Sequence, residues 1–188
     1  DPGNGQGAAA ADFDNDGDLD LYIGNDGPNR LLRNDGGTFS DVTTGLLGEA
    51  YWTTGVSWCD SDLDGDVDLF MCSADDVDHL LRNDGGSWTS IESSAINGPL
   101  PTFGAAWGDY DNDGDSDLYL CNEGPNRLLR NYGNNSFGGV TPAPLNDAAS
   151  SRGCAWADFD NDGAEDGFTP TLQIELHDAS PASGFHAW

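Results

Sequence analysis

Gly104–Asn131 reads GAAWGDYDNDGDSDLYLCNEGPNRLLRN: a strand of small residues, a loop of alternating aspartates, an apolar stretch, a Pro-Asn turn and a second apolar phrase. The loop pattern, Asp-x-Asp-x-Asp-Gly-x-x-Asp, occurs four times, from Asp12, Asp60, Asp109 and Asp158, so the starts lie 48, 49 and 49 residues apart. Each copy sets carboxylates around one glycine: Asp12, Asp14, Asp16 and Asp20; Asp60, Asp62, Asp64 and Asp68; Asp109, Asp111, Asp113 and Asp117; Asp158, Asp160, Asp162 and Asp166. Carboxylates crowded in this way repel one another unless a cation sits among them.

Every candidate ligand is an oxygen, the donor set of a hard cation with a flexible shell, and calcium is the expected ion, one per repeat. Side chains at positions one, three and five converge when the chain curls, and the glycine at position six (Gly17, Gly65, Gly114, Gly163) permits the sharp turn. The seventh residue, Asp18, Asp66, Asp115 or Ala164, is expected to add its main-chain oxygen; Ala164 shows that no side chain is needed there. The loop is not an EF-hand, because the twelfth position holds Ile23, Met71, Leu120 or Thr169 where that motif needs a bidentate glutamate. Closure falls to the ninth-position aspartates, Asp20, Asp68, Asp117 and Asp166. Solvated acidic turns without metal are the alternative.

The flanks are strand-like. LDLYI (19–23), VDLFM (67–71) and SDLYL (116–120) follow the loops, and GAAAA, GVSWC, GAAWG and GCAWA precede them, their glycines and alanines suiting the crowded axis of a radial structure. The phrases NRLLRN, DHLLRN and NRLLRN come next, then hairpin turns at Asn34–Gly37 and Asn83–Gly86 leading into Thr38–Val42 and Ser87–Ile91. Four short strands in a period near 49 are the mark of a β-propeller blade. The expected fold is all-β: about three and a half blades of four antiparallel strands, with a tail at 1–6, blades at 7–54, 55–103 and 104–152, and a partial or degenerate one at 153–188. In the last, Pro170 is expected to break the strand after Asp166, Thr171–His177 reads as one strand, and Gly184–Trp188 echoes an opening strand.

The 104–131 stretch resembles the FG-GAP/VCBS repeats of integrin-α-type propellers and of many secreted proteins, and the likeness covers about residues 7 to 168. The resemblance implies that each loop joins the first and second strands of its blade and holds one calcium ion. Such propellers usually close with seven blades, and this chain supplies fewer than four.

The formal charge is −28, with twenty of the 34 acidic residues in the four loops. Nucleic acid and membrane insertion are excluded as expected partners by this charge and by the lack of any long apolar run. All six basic residues are arginine, and five of them, Arg30, Arg33, Arg82, Arg127 and Arg130, lie in the repeated phrase, which points to ordered hydrogen bonding; adaptation to salt water is a second source of the acidic, lysine-free surface. The chain begins at Asp1, as a trimmed product would, and weak all-oxygen calcium sites suit an extracellular location. Cys59, Cys72, Cys121 and Cys154 allow three pairings, of which Cys72 with Cys121 is the least attractive, or remain buried thiols.

Trp58, Trp107 and Trp156 stand two residues before their loops, where packing between blades is favoured over sugar stacking, while Trp52, Trp88 and Trp188 fall outside that register as candidate surface contacts. His79 replaces the arginine of the repeated phrase and reads as structural. Asn134-Asn135-Ser136 is an N-glycosylation sequon, with Asn134 the acceptor. No nucleophile elbow, HExxH, P-loop or free pair of carboxylates is present, so no enzyme is expected. The expected function is that of a secreted structural or adhesion module whose open edges are covered by other copies or adjacent repeats, forming a ring or filament; the expected partners include extracellular proteins or glycans. A carbohydrate-binding lectin is the alternative, and a propeller-fold polysaccharide lyase the third.

Overall fold

The computed structural model describes residues 4–75, 77–141, 145 and 149–157, together with the backbone of 166–170 and 174–177. Within them the chain folds as successive antiparallel meanders. The first comprises β1 (Asn4–Ala11), β2 (Asp20–Pro28), β3 (Arg30–Asp35) and β4 (Thr38–Asp41). The second comprises β5 (Ala50–Cys59), β6 (Asp68–Ser73), β7 (His79–Asp84) and β8 (Ser87–Ile91). The third comprises β9 (Thr102–Gly108), β10 (Asp117–Asn122), β11 (Arg127–Asn131) and β12 (Phe137–Gly139), and a further sheet holds β13 (Ala155–Ala157), β14 (Asp166–Pro170) and β15 (Ile174–His177). Registers repeat from sheet to sheet: Leu21 faces Leu32, Leu69 faces Leu81, and Leu118 faces Leu129.

Two details depart from expectation. β2 runs on to Pro28 because Asp26–Pro28 pair with Ala50–Trp52 of β5, a three-residue bridge between the first two meanders, each of which is otherwise a sheet of its own. Pro170 does not break its strand but ends it: β14 includes Pro170, which faces Ile174 of β15. Residues 184–188 lie outside the described residues.

The sheets pack face to face, so the central strands β6 and β10 are buried on both sides and carry apolar residues at consecutive positions (LFMC, LYLC), as such strands must. One core joins Tyr22 and Leu31 of the first sheet to Leu69, Met71 and Leu81 of the second. The next joins Phe70, Cys72 and Leu80 to Leu118, Leu120 and Leu129 of the third. Each tryptophan of the opening strands meets the aromatic residue of the preceding sheet edge to face: Trp58 on Tyr22, Trp107 on Phe70 and Trp156 on Tyr119, with ring centroids 6.1–6.2 Å apart. Trp88 is not a surface contact, since its ring packs 6.2 Å from both Phe13 and Trp58. Trp52 does remain exposed. His79 stacks on Tyr51 at 4.1 Å, a structural role.

Opening strands approach through a column of glycines. A Cβ on Gly7 would stand 3.1 Å from the Gly55 Cα, one on Gly55 only 2.9 Å from the Phe103 carbonyl oxygen, and one on Gly104 3.3 Å from the Gly153 Cα. Gly55→Ala should therefore push the second and third sheets apart and cost about 1–3 kcal/mol. Gly139→Ala, where a Cβ meets nothing within 4 Å, should be near neutral. Equal unfolding midpoints for the two variants would remove the column from the account.

A second repeated contact latches each sheet to the next. The Asn29 amide donates to Thr53 Oγ1 at 2.9 Å, and the Asn126 amide to Ser151 Oγ at 2.8 Å. In the second sheet the place is taken by Asp78, which instead accepts from Thr102 Oγ1 at 2.7 Å and from the Ser73 N–H at 2.9 Å. Burial pushes the Asp78 carboxyl up from 3.8 to about 6, although these two donors and the Arg127 guanidinium favour its charged form; the nearby Cys72 thiol is itself shifted upward by burial. A carboxyl raised on folding gives full stability below its unfolded value near 4 and loses it as pH rises through about 6. Asp78→Asn should hence stabilise at pH 7.5, by about 1–3 kcal/mol, and change little at pH 4. Thermal melts of both proteins at the two pH values test this, and a pH-independent difference would contradict it.

Candidate metal centres

The three fully described loops are built alike. The first aspartate accepts the backbone N–H groups of positions five and six: Asp12 from Asp16 and Gly17 at 3.0 and 2.9 Å, Asp60 from Asp64 and Gly65 at 3.1 and 3.0 Å, and Asp109 from Asp113 and Gly114 at 3.1 and 2.9 Å. The fifth accepts from the seventh: Asp18 N–H to Asp16, Asp66 to Asp64 and Asp115 to Asp113. Gly17, Gly65 and Gly114 have φ of 95–99°, as the turn requires. The fourth residue is also left-handed, an easy conformation for Asn15 and Asn112 but one that costs about 1–2 kcal/mol at Leu63.

The closing aspartates Asp20, Asp68 and Asp117 are fully buried. One oxygen of each accepts the N–H of the loop's second residue: Phe13 at 3.1 Å, Ser61 at 3.0 Å and Tyr110 at 3.1 Å. The other accepts the N–H of the asparagine that ends the repeated phrase: Asn34 at 2.8 Å, Asn83 at 2.9 Å and Asn131 at 2.8 Å. Loop, second strand and third strand meet on one carboxylate.

Oxygens of Asp12, Asp14 and Asp20 lie within 4.8 Å of one another, as do those of Asp60, Asp62 and Asp64, and of Asp109, Asp111 and Asp117. Asp16, Asp68 and Asp113 fall outside these tightest trios. Asp18 and Asp66 turn their carboxylates to the hairpins, accepting the Gly36 and Gly85 N–H groups at 2.7 and 2.8 Å, and the Asp115 carboxylate lies near Gly133. Asp158, Asp160, Asp162 and Ala164 lie outside the described residues, and Asp166 opens β14.

Two observations show that these groups fit a cation. Asp62 Oδ1 and Asp111 Oδ1 are buried without a hydrogen-bond partner, a costly state that a bound cation would remove. Burial, with repulsion from neighbouring carboxylates, also raises Asp14, Asp68 and Asp111 above the usual carboxylate range, and burial carries Asp117 to about 7. The donor set is all oxygen, as calcium or another hard cation requires.

Two sets of neighbours were not assigned to the loops from sequence. Arg130 pairs with Asp111 at 2.9 Å and Asp113 at 2.7 Å, while Arg82 lies 4.0 Å from Asp62 and pairs with Asp84 at 2.8 Å. The first two loops are also braced by the next repeat: the Asn83 amide donates to Phe13 O and the Asn131 amide to Ser61 O, both at 2.8 Å. Asn15 donates to Asp66 at 2.7 Å, and Asn135 to Asp62 at 3.1 Å. The signal was present in the spacing of Asn34, Asn83 and Asn131, which follows the loop period. Asn134 is exposed in its turn, and its φ of 52° and the 59° of Asn135 match the 61° of Gly36 and 59° of Gly85 in the corresponding turns.

Antiparallel sheets packed in series, each with an aspartate loop between its first two strands, define a repeat module of the β-propeller type. The sequence matches the FG-GAP-like repeat over residues 12–71, 60–120 and 109–168, and the chain belongs to that family. The fold is similar to a solved structure described as BBS1N in complex with ARL6DN, soaked with lead: TM-score 0.55, 12% identity, covering 94% of this chain and 53% of that one. The chain thus spans about half the length of this neighbour. No curated protein matches the sequence.

Asp111→Asn keeps the side-chain shape while removing the crowded charge, so its two effects should oppose. With calcium as the probe ion, the third site should weaken on the order of tenfold or more. In chelator, stability should stay within about 1 kcal/mol of the parent or rise, because repulsion is relieved and only a partly exposed ion pair is lost. Calcium titration by calorimetry with paired melts tests both, and an undiminished third site would show that Asp111 is no ligand.

Proposed function

We propose that this chain is an extracellular, calcium-stabilised, non-catalytic propeller module that acts in structure or adhesion by joining further repeats or copies of itself. The observation that carries the reading is the open face of the first sheet. Leu69, Met71 and Leu81, and Leu118, Leu120 and Leu129, are buried by the preceding sheet. Their counterparts Leu21, Ile23 and Leu32 are only half-buried. What covers such a face elsewhere in the chain is an aromatic and a leucine, Tyr22 with Leu31 or Phe70 with Leu80. The fitting occupant is another repeat of the same kind, from a longer chain or from a second copy. Head-to-tail use of two unlike faces closes into a ring or grows into a filament.

Calcium is the ion suited to the all-oxygen loops, and weak sites of this kind fill in the millimolar calcium found outside cells. No helix among the described residues is long and apolar enough to cross a membrane. The charge of −28 opposes association of copies, and bound calcium lowers that opposition. A glycan-binding role is the second reading, supported by Trp52, which stays exposed while Trp58 and Trp107 are engaged between sheets.

With calcium at about ten times the dissociation constant, ligation adds about 1.4 kcal/mol per site, so chelation should remove about 4 kcal/mol from three loops and lower Tm by roughly 10 °C. Sedimentation velocity should show assembly strengthening with calcium. A compact monomer with calcium bound would overturn the self-joining part of the proposal, and a melt indifferent to chelator would overturn the calcium part.

A further inference from the structure

The core between the third sheet and β13 contains two thiols. Cys121 of β10 is fully buried in a cluster with Tyr119, Leu128 and Leu145, and Cys154, just before β13, packs against the same cluster. The backbone sets their approach. Cys121 is the register partner of Gly104, and Gly104 meets Gly153, the residue before Cys154, in the glycine column. Cys154 Sγ lies 3.8 Å from the carbonyl oxygen of Tyr119, two residues before Cys121 on the same face of β10. Cys121 and Cys154 thus share one cluster at the junction of β10 and β13.

Of the other cysteines, Cys72 still lies within electrostatic reach of Cys121 and Cys154. Cys72, one sheet back, lies against Gly55, with Sγ 3.5 Å from where a Cβ would stand. Cys59 is beside Ser116, Asp60 and Asp68 near the second loop. Among the described residues, no cysteine joins a group of three donors within 4.8 Å, so the thiols are not arranged as a metal site.

We propose that Cys121 and Cys154 are a disulfide site that staples the third sheet to the opening strand of the next repeat. Both side chains sit in one cluster, and their strands meet through the glycine column, so a bond of about 2.05 Å forms when the thiols turn toward one another. The oxidant is a disulfide of the glutathione or oxidoreductase class. One cysteine thiolate attacks a donor sulfur and expels a donor thiolate; the second cysteine attacks the mixed disulfide and expels the other. Two cysteine thiols are oxidised, one donor disulfide is reduced to two thiols, and the two cysteine protons end on those thiols. The neighbouring Cys121 thiol and burial push the Cys154 thiol well up, so exchange belongs to the stage of folding before the sheets dock. This inference does not depend on the metal reading.

The test refolds the full chain in calcium with a reduced and oxidised glutathione pair, alkylates free thiols under denaturing conditions, and maps peptides by mass spectrometry without reduction. The expected result is alkylated Cys59 and Cys72 and one peptide joining Cys121 to Cys154. Reduction should then lower Tm by about 5–10 °C, a shift that is absent in Cys121→Ser. Cys59→Ser should leave the joined peptide in place, and the parent map decides even where Cys121→Ser does not fold. Four alkylated cysteines, or a link to Cys59 or Cys72, would overturn the proposal.

Discussion

The buried carboxylate that closes each loop is the constraint on which the rest of each repeat hangs. Asp20, Asp68 and Asp117 are fully buried, yet each must remain an acceptor for two backbone N–H groups from different strands or loops. Removing such a carboxylate would orphan two buried donors, and keeping it charged beside other carboxylates costs desolvation and repulsion. The raised Asp68 and Asp117 carboxyls record that conflict. A hard cation would resolve it, because the charge would be compensated while the backbone donors stay satisfied.

Packing between repeats follows a rule just as strict. The central strands β6 and β10 have two buried faces, so a repeat completes its core only when a neighbour is present on each side. The cores are accordingly shared between sheets, Tyr22 and Leu31 with Leu69 and Met71, then Phe70 and Leu80 with Leu118 and Leu120. Glycines remove the side chains that would hold the opening strands apart, and edge-to-face aromatic pairs fill the space farther along. This is the nearest-neighbour architecture of a repeat protein, in which terminal faces are exposed unless capped.

Much of this could be read from the chain because each repeat writes the same local pattern. The loop period predicted the sheets, the alternating aspartates predicted where carboxylates gather, and the small residues at Gly55 and Gly104 predicted a crowded approach. What escaped were relations between repeats. Asn83 and Phe13 are 70 residues apart, and no periodicity within one repeat says that the asparagine amide reaches back to the previous loop. Trp88 looked unconstrained because no other repeat carries a tryptophan there, yet Phe13 and Trp58 enclose it. Pro170 reads locally as a strand breaker, yet the last residue of a strand has no further ladder bond to lose.

The asparagine braces make aspartate loops and sheet packing one system. Asn83 holds the first loop through Phe13 O, and its own N–H holds Asp68, the closing residue of the second loop. Asn131 repeats the arrangement between the second and third loops through Ser61 O and Asp117. Asn15 and Asn135 add direct contacts to Asp66 and Asp62 of a neighbouring loop. Order gained in one loop on binding a cation would therefore pass to the strand that positions the next, and a chain of equivalent sites would become more ordered along its length than independent sites. An ion held by the carboxylates would thus fix the same loops as the asparagines of the neighbouring repeat, so each would strengthen the hold of the other.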